Sequence, residues 1–291
     1  MHLPSHLSPE MSDTEFSAIA EIAHREAGLV FTQGKASLVQ SRINRRLRKL
    51  GISSFSQYIS LISSQQGENE LKLMISSLTT NISSFFRESH HFEILADKVL
   101  PQLLSYARAG GRVRIWSAGC STGQEPYSIA MTICSVAPDV EALDIKILAT
   151  DIDENVLNTA RVGTYSEREL ANIDSNYRNN FFSKTQNGSG TDFQVTNQIR
   201  NLVFFRELNL LRNWPMKGFF DVIFCRNVVI YFDEGTQLSL WPRFESITAP
   251  GGWLFVGHSE RLPEKLDTHF QNVGPTTYRL PNKSNTSAEL E

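Results

Sequence analysis

The sequence has few cysteines and no long hydrophobic run. Its three cysteines, Cys120, Cys134 and Cys225, are odd in number and widely spaced in 291 residues. That pattern favours a reducing compartment over a disulfide framework, and it gives no zinc-ligand spacing. No apolar stretch reaches the length of a membrane span, and Met1 to Met11 lacks the basic and apolar regions of a signal peptide. We therefore expect a cytoplasmic protein with no direct membrane insertion and no metal site.

A strong charge of either sign is also missing. The net charge is −3 and the pI is near 6.2, which argues against bulk nucleic-acid binding. The hydrophobic fraction of 41% and the charged fraction of 20% are typical of ordinary globular proteins. With 291 residues, the chain is long enough for one large domain and one smaller domain.

A complete dinucleotide or P-loop motif is absent, although a shorter glycine-containing stretch is present. Residues 113–130 read V-R-I-W-S-A-G-C-S-T-G-Q-E-P-Y-S-I-A, which predicts a strand, a tight loop and a helix N-terminus. Gly119 and Gly123 would let backbone amides approach a ligand. Without a third glycine or a G-K-[ST] sequence, an ordinary βα turn explains the loop about equally well.

Two carboxylates narrow the choice of ligand. Asp151 ends the next apolar strand, where it could accept both hydroxyls of a ribose. Glu125, inside the glycine loop, would repel a pyrophosphate but suits a cationic ligand. S-Adenosylmethionine, an adenosine that carries a sulfonium and an ammonium group, meets both conditions. It is therefore the predicted cofactor, with S-adenosylhomocysteine as the product.

Helical patterns dominate residues 12–80, which we predict to be a small all-α domain. Ser12 and Glu15 form a capping box for a first helix over Asp13–Ala27. The second helix, Lys35–Leu50, combines an apolar stripe with a basic face that has no acid in its span. The basic residues are Lys35, Arg42, Arg45, Arg46, Arg48 and Lys49. Two further helices, one from Ser54 to about Ser64 and one over Asn69–Leu78, complete the bundle.

The basic face of the second helix has two interpretations. A solvated surface is the commoner explanation of a charge run. Six like charges on one short helix repel one another, however, and an acidic helical partner would relieve that repulsion. We therefore also consider the basic face as a docking surface.

Residues 81–92 break the helical pattern, and we predict a linker that contributes to the cofactor site. Asn81 and Ser83 offer an amide and a hydroxyl group for hydrogen bonds. Arg87 could clamp a ligand carboxylate in bidentate fashion, or it could simply pair with Glu88. The sequence pattern leaves both roles of Arg87 open.

Strands and helices alternate over residues 93–283, which predicts a Rossmann-like α/β domain with a parallel sheet. Asn187-Gly188-Ser189-Gly190 predicts an inserted hairpin, a small antiparallel β-subdomain at about residues 181–201. A second hairpin around Gly274-Pro275 should close the sheet with antiparallel strands. The polar residues 284–291 indicate a disordered tail. The predicted strands of the sheet are Val113–Trp116, Lys146–Thr150, Val203–Glu207, Asp221–Cys225 and Trp253–Val256.

Six separated motifs then occur in a specific order. They are T-T-N-I-S-S-F-F-R-E, A-G-C-S-T-G-Q-E-P-Y-S, A-T-D-I-D, L-N-L, C-R-N-V-V-I-Y-F and G-H-S-E. This combination resembles the CheR family of bacterial chemotaxis receptor methyltransferases over nearly the whole chain. The resemblance implies a helical N-terminal domain, a methyltransferase domain and a small β-subdomain. It also implies methylation of glutamate side chains on the cytoplasmic helices of methyl-accepting chemoreceptors, giving glutamyl methyl esters for chemotactic adaptation.

The resemblance assigns cofactor contacts to loop positions. They are Asn81, Ser83, Arg87, Glu125, Asp151, Asn209, Leu210, Arg226 and Asn227. It also implies chemoreceptor helices as partners, which the basic helix would contact. Some family members hold a peptide tether at the receptor C-terminus by adding a strand to the β-subdomain, so a tether is a further candidate partner. We expect a monomer.

The chemistry of such a transfer needs little acid–base help. A glutamate carboxylate is already ionised at about pH 7, so direct transfer requires alignment and desolvation rather than a general base. We predict that Tyr231 lies beside the transferred methyl group, with Arg226 as a second catalytic residue. A buried tyrosine bonded to the backbone stays an alternative for Tyr231. His258 is expected to be structural because no base is needed.

Two other classes of function stay open. A dinucleotide oxidoreductase would need the missing glycine and tolerance of Glu125 beside a phosphate, and tight binding of NAD would favour it. A non-catalytic adaptor could keep the binding residues without turnover. A receptor methylation assay separates that adaptor from an enzyme.

Overall fold

A computed structural model describes residues 9–187, 190–263 and 266–282. The chain forms two compact units. The first contains the chain up to Thr80 together with Tyr231–Asp233, and the second contains Asn81–Ile230 and the chain from Glu234 onward. Within the described ranges, every helix is too short or too polar to span a bilayer.

Four α-helices lie in the part of the first unit that the structure describes. They are α1 (Asp13–Ala27), α2 (Ala36–Leu50), α3 (Phe55–Ile62) and α4 (Glu68–Leu78). The capping box predicted for α1 is present, because the Ser12 side chain accepts from the Glu15 amide while Glu15 accepts from the Ser12 amide. Apolar side chains at helical spacing fill the core, among them Ile19, Val39, Ile43 and Leu47. The second helix begins at Ala36 because Gln33–Lys35 forms a 3₁₀ turn.

The second unit combines helices with two sheets. In chain order its elements are α5 (His90–Ile94), α6 (Leu100–Arg108), β1 (Val113–Ala118), α7 (Gln124–Val136), β2 (Ile145–Asp151), α8 (Glu154–Val162), β3 (Thr164–Ser166), α9 (Ser175–Phe181), β4 (Phe182–Asn187), β5 (Gly190–Val195), α10 (Asn197–Arg200), β6 (Val203–Glu207), β7 (Phe220–Cys225), α11 (Glu234–Ser246), β8 (Thr248–Val256), β9 (Gln271–Gly274) and β10 (Thr277–Arg279). A π-helical turn, Leu95–Val99, lies between α5 and α6.

The main sheet has seven strands in the order β6-β2-β1-β7-β8-β10-β9. The first four pairings are parallel, and β10 pairs antiparallel with both β8 and β9, as predicted for the closing hairpin. Strand β8 begins at Thr248 rather than Trp253, because Thr248 already pairs with Phe220. The register then shifts, and Trp253 pairs with Val222. The predicted α/β fold class is therefore confirmed.

Aromatic rings fill the core beside the sheet. Trp116 of β1 is fully buried, and its indole N–H donates to the Thr150 hydroxyl at 2.9 Å. Its ring lies 5.0 Å from the Trp214 ring and 5.5 Å from the Phe244 ring, centroid to centroid. The satisfied N–H and the aromatic contacts explain why so large a side chain is buried on a central strand.

The β-subdomain is a three-stranded antiparallel sheet in the order β3-β5-β4. Strands β4 and β5 form the predicted hairpin, whereas β3 is a strand that the sequence pattern does not reveal. The turn residues Gly188 and Ser189 lie outside the described residues, as does the predicted tail 284–291.

Candidate functional site

The loops that leave one edge of the parallel sheet hold most of the predicted site residues. Strands β6, β2, β1 and β7 are neighbours and run parallel, so their carboxyl ends meet at the same edge. The residues that end or follow these strands include Asn209, Leu210, Asp151, Glu125, Arg226 and Asn227. Open α/β sheets bind ligands at this edge. The topology thus brings together residues that are more than 100 positions apart in sequence, since Arg226 lies 101 residues from Glu125.

Arg226 is buried between two carboxylates. Its Nη1 lies 3.1 Å from Glu125 Oε2 and its Nη2 lies 3.2 Å from Glu88 Oε2, while only 1% of its side chain is exposed. Nη2 also donates to the Arg87 carbonyl, and the guanidinium lies 5.7 Å from the centre of the Phe92 ring. Two carboxylates against one guanidinium leave this cluster with a net negative charge.

The two carboxylates differ in their protonation. Burial alone would raise the pKa of Glu88, but the Arg226 charge and hydrogen bonds from His258 overcome this and lower its pKa to about 2. Burial raises the pKa of Glu125, and Arg226 and the Ser117 hydroxyl, 2.7 Å away, oppose that rise. Glu88 is therefore the firmly ionised member, and Glu125 is the member that takes up a proton more readily.

Asp151 joins the glycine loop to the end of β2. Its Oδ2 accepts the Ser121 amide at 2.8 Å and its Oδ1 accepts the Asp153 amide at 3.0 Å. Asp153 caps α8 through the Asn155 amide and accepts the Asn81 side-chain amide at 3.0 Å. Burial raises the pKa of Asp151 to about 6. Each carboxylate oxygen has two lone pairs, so Asp151 keeps acceptor capacity for a ligand.

The conformation of the glycine loop favours close packing against a neighbouring loop and does not favour phosphate binding. A Cβ on Gly119 would lie 2.3 Å from a Val228 methyl group, so only glycine lets this loop meet the loop after β7. The amides of Gly119 and Cys120 both donate to the Thr150 carbonyl, at 2.8 and 2.9 Å. A pyrophosphate site needs open loop amides at the helix N-terminus, and here these donors are used within the protein.

Left-handed backbone concentrates in the same loops. Among the described residues, Phe86, Glu88, Ser121, Asn227 and Thr276 are the non-glycine residues with positive φ, at 49 to 58°. All but Thr276 lie in loops that hold predicted cofactor residues. Such conformations cost about 1–3 kcal/mol each and persist where surrounding contacts enforce them, typically at functional sites.

Comparison with known proteins decides the family. Residues 81–279 match the model of the CheR methyltransferase SAM-binding domain, and residues 14–79 match that of the CheR all-alpha domain. The probable chemotaxis protein methyltransferase of Rhizobium etli is 50% identical over 89% of this chain and 97% of that protein. The chemotaxis protein methyltransferase of Escherichia coli is 40% identical, over 93% of this chain and 92% of its own length. The chain belongs to the CheR methyltransferase family.

Membership in the CheR family confirms the predicted fold class and cofactor, and it makes the protein a methyltransferase of chemotaxis. It removes the dinucleotide oxidoreductase as an alternative. The residues at the sheet edge fit S-adenosylmethionine, because Asp151 offers acceptors for ribose hydroxyls and the Glu88–Arg226–Glu125 cluster offers net negative charge to a cation. Arg226 Nε is also a buried donor without an acceptor within the described chain.

The remaining predicted cofactor residues lie in the same loops but make different contacts. Arg87 donates from Nη1 to the Ile82 carbonyl at 3.2 Å, and Glu88 pairs with Arg226 rather than with Arg87. Ser83 is half-buried in the same segment. After β6, the Asn209 side chain accepts the Leu211 amide at 2.9 Å. Leu210 is buried, with its carbonyl accepting from Trp214 at 3.1 Å.

Tyr231, the predicted catalytic residue, groups with the first unit. It is half-buried, and its carbonyl oxygen accepts the Val30 amide at 3.0 Å. The position of its phenol relative to a transferred methyl group stays a prediction.

The basic face of α2 is less uniform than its sequence indicates. Arg46 forms a bidentate pair with Glu70 of α4, at 2.8 Å and 2.6 Å, and only 13% of its side chain is exposed. Arg42 donates to the Leu78 and Thr79 carbonyls, both at 2.8 Å, at the end of α4. The expectation of uncompensated charge is therefore wrong for Arg46, because the acid comes from another helix. Lys35, Arg45, Arg48 and Lys49 are exposed.

Sequence reasoning missed three members of the site. Glu88 and Asp153 stand inside motifs that carry the resemblance, F-F-R-E and A-T-D-I-D, although only Arg87 and Asp151 of these motifs are predicted site residues. Ser121 bonds Asp151 through its amide and Asn81 through its hydroxyl, at 2.8 and 3.0 Å. No residue-type signal distinguishes such a serine within a loop of small residues.

Proposed function

We propose that this chain transfers a methyl group from S-adenosylmethionine to glutamate carboxylates on the cytoplasmic helices of chemoreceptors, and that it acts in the cytoplasm. The observation that carries the proposal is the buried Glu88–Arg226–Glu125 cluster beside Asp151 at the carboxyl edge of the sheet. A net negative cluster next to a ribose acceptor suits an adenosine that bears positive charge. The names of the relatives support a chemotaxis substrate.

Different residues of the site would bind different parts of the cofactor. Asp151 would accept the ribose hydroxyls, since it ends β2 and is held by two backbone amides. Glu125 and Glu88 would face the ammonium and sulfonium charges, and Arg226 holds these two carboxylates in place. Bound S-adenosylmethionine supplies a methyl group already activated for transfer. Asn81 and Arg87 would contact the cofactor from the segment before α5.

Transfer to a carboxylate places few chemical demands on the protein. The acceptor is ionised at about pH 7, and its attack on a sulfonium neutralises both charges, so a drier site disfavours the separated ions. Alignment of the two reactants can contribute up to about 7 to 11 kcal/mol. Tyr231 is the residue we propose beside the methyl group, where its hydroxyl would orient the acceptor. Arg226 contributes by fixing the carboxylates rather than by moving a proton.

Release of base-labile methyl groups tests the proposal directly. Receptor-rich membranes incubated with the protein and methyl-labelled cofactor should yield volatile label on alkaline treatment, because glutamyl methyl esters hydrolyse to methanol. Asp151→Asn is the matched control, since it keeps the size of the side chain and removes its charge. Tight binding of S-adenosylhomocysteine without any methyl transfer would instead favour the non-catalytic adaptor.

Two partner surfaces belong to the same proposal. The exposed residues of α2, among them Arg45 and Lys49, would steer the protein onto acidic receptor helices. Strand β4 is an edge of the three-stranded β-subdomain, where a receptor C-terminal peptide could add a strand. Removing that peptide from the receptor should raise its KM only if the tether is used. We propose that the protein acts as a monomer, which light scattering of the purified protein would test.

A further inference from the structure

A single buried carboxylate organises the loop that follows β7. Glu260, which is 3% exposed, accepts four backbone N–H groups. Its Oε2 accepts from Gly257 at 2.6 Å and from Asn227 at 2.8 Å. Its Oε1 accepts from Val228 at 2.8 Å and from Ile230 at 3.3 Å. Each of the two carboxylate oxygens therefore accepts two backbone N–H groups.

The loop needs such an acceptor because of its backbone conformation. Asn227 has φ of 58°, so the chain turns sharply where it leaves β7 and its amides converge on one point. Converging N–H groups form a concavity that suits an anion, and bonds to an ionised oxygen are roughly twice as strong as neutral ones. Buried amides without an acceptor would each cost about 1–3 kcal/mol. Glu260 fills the concavity from within the protein.

Gly257 permits the close contact between the two loops. A Cβ at this position would lie 2.7 Å from the Asn227 amide nitrogen and 2.8 Å from Glu260 Oε2. Any larger residue would push the loop after β7 away from its acceptor. Gly257 and Glu260, the first and last residues of the motif G-H-S-E, thus act together to hold the loop after β7, which the sequence pattern alone does not indicate.

The loop held by Glu260 carries residues of the proposed reaction at both ends. Arg226 immediately precedes Asn227, and Tyr231 immediately follows Ile230. We propose, on the basis of the proposed function, that Glu260 is a positioning residue for methyl transfer. It holds in place the backbone of the cofactor-binding Arg226–Asn227 pair and the start of the segment that leads to Tyr231. It acts through the loop backbone and touches neither reactant.

Asp221 provides a matched control on the same strand. It stands near the opposite end of β7, where its Oδ2 accepts the Arg114 amide at 2.8 Å. Like Glu260, it is a carboxylate that bonds a backbone N–H, but it is remote from the carboxyl edge of the sheet. Asp221→Ala should therefore lower thermal stability, because the Arg114 amide loses its acceptor, without changing catalysis.

Glu260→Gln is the primary test. One oxygen becomes an amide NH₂, so two backbone N–H groups lose their acceptor in either orientation of the side chain. We expect kcat/KM for methylation to fall about 10- to 100-fold, as for a misplacement of about 1 Å, and the Kd for S-adenosylhomocysteine to rise with it. Asp221→Ala should keep both values within about twofold of wild type at a comparable loss of Tm. A Glu260→Gln protein with lower Tm but unchanged kcat/KM and Kd would overturn the positioning role.

A second variant covers the case in which Glu260→Gln does not fold. Gly257→Ala keeps the carboxylate and displaces the loop by the added methyl group, so it should show the same kinetic loss. Normal kinetics in a folded Gly257→Ala protein would equally contradict the proposal. Calorimetry with S-adenosylhomocysteine needs no receptor. A wild-type protein that binds it but methylates nothing refutes the proposed function, while the effect of Glu260→Gln on Kd still decides the role of Glu260.

Discussion

At the scale of single residues, Asp151 should make cofactor binding sensitive to pH. Burial raises its pKa to about 6, so a proton binds just below neutral pH and removes one acceptor from the proposed ribose contact. We predict that the affinity for S-adenosylhomocysteine falls as pH decreases through about 6, measured by calorimetry from about pH 7.5 to about pH 5. Asp151→Asn should weaken binding by about 1.5–3 kcal/mol and remove the pH dependence. The same pH dependence in Asp151→Asn would assign the titration to another group.

The ionisation of Asp151 should affect folding stability and cofactor affinity in opposite directions as pH falls. The folded-state pKa of Asp151 is raised from 3.8 to about 6. A raised carboxyl pKa favours the folded state at low pH, and this contribution is lost as pH rises through about 6. Weaker binding in acid therefore cannot come from Asp151 destabilising the fold there.

Tyr231→Phe tests the predicted catalytic role. If the hydroxyl orients the acceptor, its loss should lower kcat by roughly 3- to 10-fold, the size of about one hydrogen bond, and leave the Kd for S-adenosylhomocysteine unchanged. Single-turnover methylation and calorimetry give the two values. Parallel losses in both would make Tyr231 a cofactor-binding or folding residue.

At the scale of elements, α2 offers a test of receptor docking that spares the fold. Arg45 and Lys49 are exposed, one turn apart on the same face. Replacing both with glutamate should slow receptor methylation at low ionic strength, mainly through association, while cofactor affinity stays unchanged. Lys98→Glu with Lys217→Glu makes the same change in net charge at exposed sites of the second unit. If both double variants methylate receptors equally fast, the basic face is only solvated surface.

Arg46 is unsuitable for this test, although its sequence position looks equivalent. A glutamate there would face the 8%-exposed Glu70 and leave a buried carboxylate unpaired, which typically costs about 3–5 kcal/mol. Slow methylation would then report a damaged helical unit. The ion pair thus divides α2 into residues that hold the bundle and residues that are free to meet a partner.

Elements with local signals were predictable, and elements set by distant contacts were not. Helix α1 and strand β6 have the predicted bounds. A capping box marks the start of α1, and an apolar run between polar segments marks β6. Strand β3 is too short to show any periodicity, and it forms through its pairing with β5.

In the site, the positions of Glu125 and Asp151 near strand ends, together with their charge, were enough to predict them as site residues. The pairing of Glu88 with Arg226, 138 residues apart by their numbers, depends on the sheet topology.

At the scale of the whole molecule, the cofactor should stabilise the folded protein. A ligand at about 100 times its Kd adds about 2.7 kcal/mol, which corresponds to a rise in Tm of roughly 5 to 10 °C for a domain of this size. We predict that rise for S-adenosylhomocysteine in scanning calorimetry, with a smaller one for Asp151→Asn. NAD at the same concentration is the control and should leave Tm unchanged. A larger rise with NAD would contradict the assignment of the cofactor.

The packing of Trp116 against Trp214 gives the protein an intrinsic optical reporter. All four tryptophans of the chain, Trp116, Trp214, Trp241 and Trp253, belong to the second unit, and the helical first unit has none. Indole fluorescence during chemical denaturation will therefore follow the methyltransferase unit alone, whereas far-ultraviolet circular dichroism will follow the helices of both. Coincident curves from the two signals would mean that the units unfold in one cooperative step, and separate midpoints would give each unit its own stability.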